Sequence, residues 1–504
     1  MITRRTILIA SATLGPGLAS AKPPALSAGK ADPYMFAAHR QGSFGSPVAS
    51  DAGRVYCCDA VTYYSPGYAV HSPRLAFAAV YVDKNTTIEH ALGNDLPFQG
   101  VSIEIAGVRT PLTVDGAPSW TVANGRYVWT DANSLVIPAN TTFRIITATN
   151  VAAGLLRNSP MRVNPTMALD GVRQGATDQS AYLRGAGTFL ASTGTTCMAP
   201  QMIVAQGWAA AGKPPVPLII GDSIAAGNND TQYGVPTSGV WGYLARGLTD
   251  IGSSTRLPYC NLAIHGVSYS AVAAGTFAIR KQMMAEVGYP FTCIMSAMGT
   301  NAGGAASAIA GWPPFGAFLK TMGNKPIIQT TMLAKSTAKV ANLGWTTLGN
   351  QVRIDFAAYN QWIRAKSDAN LDQYIDMVGQ FESANDSGLW AVPSFATLLA
   401  ADFVSGSKVL SLKAAPPVHA TLVLAAGTAN YKNFGVVESV TGAGPYTVQL
   451  RNYVTGTAYL AGTSCQEVNT TDGVHPLTRN SETSMAPIIA AKNSGALRLT
   501  SRLT

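Results

Sequence analysis

The chain has 504 residues, with 35 Lys and Arg against 26 Asp and Glu, a formal charge of +9, and only 12% charged residues. That length exceeds one ordinary hydrophobic core, so two or more domains are expected. No Lys/Arg run follows the first residues, so the clustered positive footprint of a nucleic-acid binder is missing, and a scattered solubilising surface accounts for the excess of base.

In chain order, the first segment reads as an export signal. Thr3-Arg4-Arg5-Thr6-Ile7-Leu8 is a charged start, residues 6–18 a modest apolar core, and Ala19-Ser20-Ala21 a small-residue cleavage site. The paired arginines and the Gly/Ser/Thr-diluted core fit twin-arginine export, with the ordinary secretory route open. Removing residues 1–21 takes away Arg4 and Arg5 and no acid, leaving +7. The apolar stretch is shorter than the roughly 20 residues that span a bilayer, and no later segment reaches that length uninterrupted. The expected mature protein is soluble and exported, periplasmic or extracellular.

Residues 22–54, rich in Ala, Gly, Pro and Ser, are expected to be a flexible lead-in. From 55 to 208, short β-type runs such as Leu75–Val82, Val101–Ile105, Arg126–Trp129 and Thr142–Thr147 alternate with Gly/Pro/Asn/Asp punctuation. This spacing predicts a β-sandwich domain. Residues 209–217, with one Gly and three prolines, read as a linker.

Strands then alternate with helices. Strands are predicted at Val216–Gly221, Pro258–Ile264, Phe291–Met298, Pro326–Met332 and Gln373–Val378, and helices over 238–250, 271–287, 305–321 and 346–368. The last carries Phe356, Tyr359, Trp362 and Ile363 at helical spacing. Such alternation predicts a parallel sheet covered on both faces, with ligands at the carboxyl ends of the strands. Residues 218–403 and 468–504 form this α/β domain, and 404–467 read as a small antiparallel β-insertion turning at Gly442–Pro445.

The six cysteines (57, 58, 197, 260, 293, 465) have no zinc spacing. Cys260 and Cys293 lie in apolar runs and are expected as buried thiols, while at least one of the adjacent Cys57 and Cys58 is expected to seek a distant partner. No metal, nucleotide or cofactor motif is present. The remaining histidines (39, 71, 90, 265, 419) lack ligand spacing, and Glu382 and Asp386 read as loop acids, not a glycosidase pair.

Four stations in the α/β domain carry chemistry. Ser223, in Gly221-Asp222-Ser223-Ile224, follows the first strand at an expected helix start, where developing negative charge is favoured. Alone it would read as a helix cap. Asp222 is expected to brace the turn. Gly266 follows the second strand, where a glycine lets a backbone N–H approach an oxyanion. Asn301, after the third strand, offers a side-chain donor to the same oxygen. Asp472 and His475, three residues apart on one loop, supply an orienting carboxylate and a base.

In this order the stations resemble the SGNH (GDSL-type) hydrolase family, over roughly 215–400 and 468–490. The resemblance implies a flavodoxin-like α/β/α sandwich and an acyl-enzyme mechanism. Ser223 would be nucleophile and first oxyanion donor, Gly266 and Asn301 would complete the oxyanion hole, His475 would be the base and Asp472 its partner. Three departures stand out: GDSI replaces GDSL, Ala302 stands where the third block usually has Asp, which puts the bracing of Asn301 in question, and the β-insertion over 404–467 is not a core feature of the family. Export and the expected N-terminal β-sandwich favour an O-acetylated polysaccharide or cell-surface glycan, and a β-insertion placed to roof the site, with no long apolar lid helix in the sequence, favours short acyl groups. A lipolytic esterase or lysophospholipase, a glycan-binding envelope protein with an idle hydrolase domain, and a transferase using the same serine are the alternatives.

Overall fold

Five apolar runs become the parallel strands β1 (Pro217–Gly221), β2 (Cys260–Asn261), β3 (Cys293–Ala297), β4 (Ile327–Thr330) and β5 (Gln373–Ile375), in the order β2-β1-β3-β4-β5. The computed structural model describes residues 32–497 apart from 40–43, 45–46, 84–85, 159–160, 163–169, 186–188, 190–195, 229, 231–241, 250–255, 274–276, 429, 431, 452–456, 473, 478, 480–485 and 495. The expected leader, 1–21, lies outside them.

A sheet covered on both faces needs strands that are apolar on both sides. In β1, Leu218 and Ile220 enter one hydrophobic cluster, while Ile219 enters another on the opposite face. Helices Tyr243–Thr249 and Ala486–Asn493 contribute Leu244, Leu248 and Ile488 to the Ile219 side. Helices Ala278–Glu286, Ala305–Lys320 and Ala357–Arg364 contribute Met283, Trp312, Phe315, Tyr359 and Ile363 to the other. The expected helix over 271–287 is described as Tyr269–Ala273 and Ala278–Glu286.

The expected helix over 346–368 is corrected. Only Ala357–Arg364 is α-helical, and Gln351–Arg353 pairs antiparallel with Ser336–Ala338 in a hairpin that follows β4. The Asn350 carboxamide organises this excursion, bonding the Val340 N–H (2.8 Å), the Val340 carbonyl (2.9 Å) and the Gly344 carbonyl (2.7 Å). Asp355 then accepts the Ala357 N–H (2.9 Å) and starts the helix.

Among the described residues, the N-terminal region holds two larger antiparallel sheets and three two-stranded ones. Of the larger two, one orders Met35–Phe36, Met202–Gln206, Val70–Ala78 and Tyr127–Trp129; the other orders Gly171–Gly175, Tyr56–Tyr64, Thr142–Asn150, Leu96–Ile105 and Val108–Leu112. Alternate residues of Val70–Ala78 serve different cores. Leu75 and Phe77 meet Val61, Phe98, Phe143 and Ile145 between the sheets, whereas Ala76 and Ala78 join Leu218, Ile220 and Phe291 of the α/β region.

The expectations for 22–54 and 209–217 change accordingly. The lead-in is structured from residue 33 onward where described: Phe36 is buried, its N–H donates to the Pro290 carbonyl (2.9 Å), and the Ala38 carbonyl accepts the Tyr259 N–H (3.1 Å). Residues 209–212 are exposed, but Val216 is buried and Pro217 already starts β1. Pro33–Thr504 is one compact unit, and the outer face of the first antiparallel sheet packs on the α/β region through Ala76, Ala78, Met202 and Val204.

The insertion is larger than expected. It begins at Ala396 and forms six strands in the order Ala396–Leu398, Ser464–Val468, Thr421–Leu424, Lys432–Thr441, Tyr446–Leu450 and Val409–Leu412. Its edges meet through the Ala400 N–H to Ser411 carbonyl (2.8 Å) and Lys413 N–H to Leu398 carbonyl (3.0 Å) bonds, closing a small barrel around Leu410, Leu422, Leu424, Val437, Val448 and Leu450. Cys57, Cys58, Cys260, Cys293 and Cys465 are buried free thiols, so the expected partner for Cys57 or Cys58 is not formed.

One buried ion pair joins the N-terminal and α/β regions. Glu89 takes the Ile279 N–H (2.7 Å), the Arg280 N–H (3.2 Å) and Arg280 Nε (2.6 Å), with both side chains almost fully buried. Glu89→Ala leaves Arg280 as an uncompensated buried cation, and urea unfolding should show a loss of about 3–5 kcal/mol. A loss below about 1 kcal/mol, the range of exposed pairs, would show that the contact does not couple the two regions.

Candidate active site

β1 ends at Gly221 because the chain turns back on itself there. A Cβ on Gly221 would lie 2.3 Å from Ala225 Cβ, so only glycine lets residues 222–228 pack over the strand end. Asp222 braces this turn, its Oδ1 accepting the Ile224 N–H (3.0 Å). Burial pushes the Asp222 carboxyl above its ordinary range, against the pull of the Ile224 N–H, Thr300 and His475. The helix expected at Ser223 is not formed. Bonds from Ala226 N–H to Asp222 carbonyl (3.0 Å) and Asn228 N–H to Ser223 carbonyl (2.9 Å) make a run of turns, and the next described helix starts at Tyr243. Ser223 is 8% exposed.

The Asp–His loop lies against it. His475 Nε2 is 2.7 Å from Ser223 Oγ, and His475 Nδ1 is 2.7 Å from Asp472 Oδ2. A carboxylate only accepts, so it takes the Nδ1–H and leaves the Nε2 lone pair facing the serine O–H. Asp472 Oδ1 also accepts the Val474 and His475 backbone N–H groups, each at 2.9 Å, and the Thr470 hydroxyl at 3.3 Å. Burial would raise the Asp472 carboxyl, but the His475 side chain and these N–H donors outweigh it and hold the pKa down to about 2. Asn469 anchors the loop, donating from its carboxamide to the Ala391 carbonyl (2.8 Å) and accepting the Leu477 N–H (3.0 Å).

Gly266 and Asn301 occupy the next two strand ends. Gly266 sits in the turn after β2 with φ +76°, and Asn301 in the 3-10 turn Thr300–Ala302 after β3. Asn301 Nδ2 donates to the carbonyl of Val267, the residue after Gly266, at 3.0 Å. This bond ties the two loops together and braces Asn301 without the Asp that Ala302 replaces. A carboxamide nitrogen has two N–H donors, so one remains for a ligand. Lys335 Nζ pins the same turn from behind, donating to the Thr300 carbonyl (2.6 Å). Since β1 lies between β2 and β3, the loops after these three strands stand side by side where the strand order reverses.

The structure thus brings Ser223, His475 and Asp472 into one hydrogen-bonded chain and joins Asn301 to the Gly266 turn. Asn228, Thr470, Asn469 and Lys335 were not foreseen; each acts through a backbone or ring contact that leaves no spacing signal. The residues set aside as non-catalytic have other settings. His265 is exposed. Asp386 is bound by Arg364 (2.6 Å) and Asn360 (3.2 Å). Glu382, raised to about 7 by burial, accepts the Gly388 N–H (3.0 Å). Among the described residues no group of three His, Cys, Asp or Glu could hold a metal ion, and no helix is long and apolar enough to cross a membrane.

No protein-family model and no curated protein matches the chain. Among solved structures it is similar to one described as a possible lipase from Chitinophaga pinensis, at 13% identity and TM-score 0.29 over 56% of this chain and 99% of that one. It is also similar to a catalytic mutant of an acetylxylan esterase from Geobacillus stearothermophilus, at 14% identity and TM-score 0.22 over 33% of this chain and 77% of that one. Likenesses this slight carry no weight beside the geometry of the residues themselves.

The Asp472 shift fixes a pH dependence. Its folded-state pKa, about 2, lies below the ordinary 3.8. Its contribution to stability is therefore complete above pH 3.8 and is lost as pH falls through 2. Wild type and Asp472→Asn should differ in unfolding free energy at neutral pH and converge across that acid window. A constant gap from neutral pH down to the bottom of the window would show that the carboxylate's ionisation is not what the loop depends on.

Proposed function

We propose that this chain is an SGNH-type serine esterase, exported, that removes short acyl groups, O-acetyl above all, from a polysaccharide or cell-surface glycan. The observation that carries the proposal is the hydrogen-bonded sequence Asp472–His475–Ser223, with both contacts at 2.7 Å. The strand order β2-β1-β3-β4-β5 supports the flavodoxin-like α/β/α reading, and the two larger N-terminal antiparallel sheets around one cluster support the β-sandwich reading.

In the proposed reaction, His475 Nε2 takes the Ser223 proton as Oγ attacks the ester carbonyl. Asp472 stabilises the imidazolium through Nδ1. The oxyanion is met by the backbone N–H groups of Ser223 and Gly266 and by the free Asn301 N–H. Collapse expels the sugar alkoxide, which takes the proton from Nε2, and leaves an acyl-Ser223. Water then releases the carboxylic acid by the reverse proton path.

The preference for small acyl groups rests on what surrounds the strand ends. The barrel reaches the hairpin after β4, where the Gly427 N–H donates to the Asn342 carbonyl (2.8 Å). The insertion returns at Val468, shortly before Asp472, and narrowing of the acyl pocket by the insertion is part of the proposal.

Purified mature protein assayed on p-nitrophenyl acetate, butyrate, octanoate and palmitate should cleave the short esters best. Ser223→Ala should be inactive, and Asn301→Ala should lose roughly a hundred- to a thousand-fold in kcat. A preference for palmitate would replace the glycan reading with a lipolytic one. Equal rates in wild type and Ser223→Ala would end the esterase reading.

A further inference from the structure

The triad leaves one neighbour unexplained. Asn228 Nδ2 lies 3.3 Å from His475 Nε2, and this is the only hydrogen bond its side chain makes among the described residues. The residue is half-buried, and its backbone N–H is fixed to the Ser223 carbonyl at 2.9 Å. The carboxamide therefore belongs to the nucleophile's own turn and faces the catalytic nitrogen of the base.

In the free enzyme this contact is secondary. Nε2 has one lone pair, and the serine hydroxyl at 2.7 Å occupies it. Nor is Asn228 required to orient the imidazole, which Asp472 already fixes through Nδ1 at 2.7 Å. The balance changes once Ser223 is acylated. Oγ then carries no proton, and the group that must donate to Nε2 is the attacking water.

Resting on the esterase reading above, we infer that Asn228 positions the hydrolytic water for deacylation, because its carboxamide and the His475 imidazole lie close enough for one water to bond both. With the two nitrogens 3.3 Å apart, a water at ordinary hydrogen-bond distance, about 2.8–3.0 Å, reaches both at once. It accepts from Asn228 Nδ2–H with one lone pair, donates an O–H to Nε2, and keeps its second lone pair for the acyl carbon. As the water oxygen bonds to that carbon, its proton passes to Nε2. The tetrahedral species then breaks its bond to Ser223 Oγ, Oγ recovers the proton from Nε2, and the carboxylic acid leaves. Because Asn228 is bonded to the Ser223 backbone, the water is held in register with the acyl group.

The test is stopped-flow hydrolysis of p-nitrophenyl acetate by the full chain, an ester whose good leaving group makes deacylation limiting. Asn228→Ala should lower kcat about tenfold or more and lower KM in proportion, leaving kcat/KM nearly unchanged, since misplacing a reactant costs the step that uses it. It should show a burst of nitrophenol and an acetyl adduct on Ser223 by intact mass. Asn228→Gln, which keeps the N–H donor, should recover part of the loss, and Asn228→Asp, which offers only an acceptor, should not. A fall in kcat/KM as large as the fall in kcat would overturn the inference by placing Asn228 in acylation or in the fold. So would an unchanged kcat, or an Asp variant as fast as wild type. Wild type no faster than Ser223→Ala would instead sink the esterase reading itself.

Discussion

The hydrogen bond between Ser223 Oγ and His475 Nε2 joins residues 252 apart in sequence, and everything in the α/β region serves to hold its two ends. A local motif can place a serine or a histidine, but it cannot set the distance between them. That distance is set by packing. On one side, Gly221 and Ala225 fold the Ser223 turn onto the end of β1. On the other, Asn469 and Leu477 fix the His loop, and Ile488 packs with Leu244 and Ile219 under the sheet. In the proposed reaction a shift of about 1 Å in either support would cost a large part of the proton transfer, because Ser223 and His475 must meet at contact distance.

The parallel sheet is itself dependent on the N-terminal region. Its cluster on the Leu218 and Ile220 side runs without a break into Met35, Phe36, Ala76, Ala78, Met202 and Val204. The first antiparallel sheet is thus apolar on both faces, like a strand set in the middle of an α/β protein. Separating the two regions would expose both sides of this contact and leave the Glu89–Arg280 pair half-made. For two regions that share one hydrophobic cluster, independent domains on a flexible connector are not an available arrangement.

Much of this was legible because it is local. The five parallel strands, the motif residues at their ends and the helical face of Tyr359, Trp362 and Ile363 all declare themselves by short-range pattern. What was not legible depends on distant partners. Residues 33–39 look like the end of a Pro/Ser-rich segment, yet Phe36 is buried because Phe291 and Pro290 lie opposite. Residues 346–355 look helical until Ser336–Ala338 offers a strand to pair with. Asn301 seemed to lack a brace because its brace is the backbone carbonyl of Val267, and a carbonyl has no letter in the sequence.

The barrel shows why a large insertion immediately before the loop of Asp472 and His475 can be tolerated. It has a core of its own, around Leu410, Leu422 and Val448, and draws little from the α/β clusters. Its first and last strands are paired antiparallel, Ala396 opposite Gln466 and Leu398 opposite Ser464, so the chain leaves and returns at nearly the same point. Immediately after that return, Glu467 is held by Arg479 (2.6 Å) and Asn469 by the Ala391 carbonyl (2.8 Å). The loop that carries Asp472 and His475 therefore starts from a position fixed by the body of the protein. The insertion can therefore vary within its own core without moving the Ser223–His475 pair.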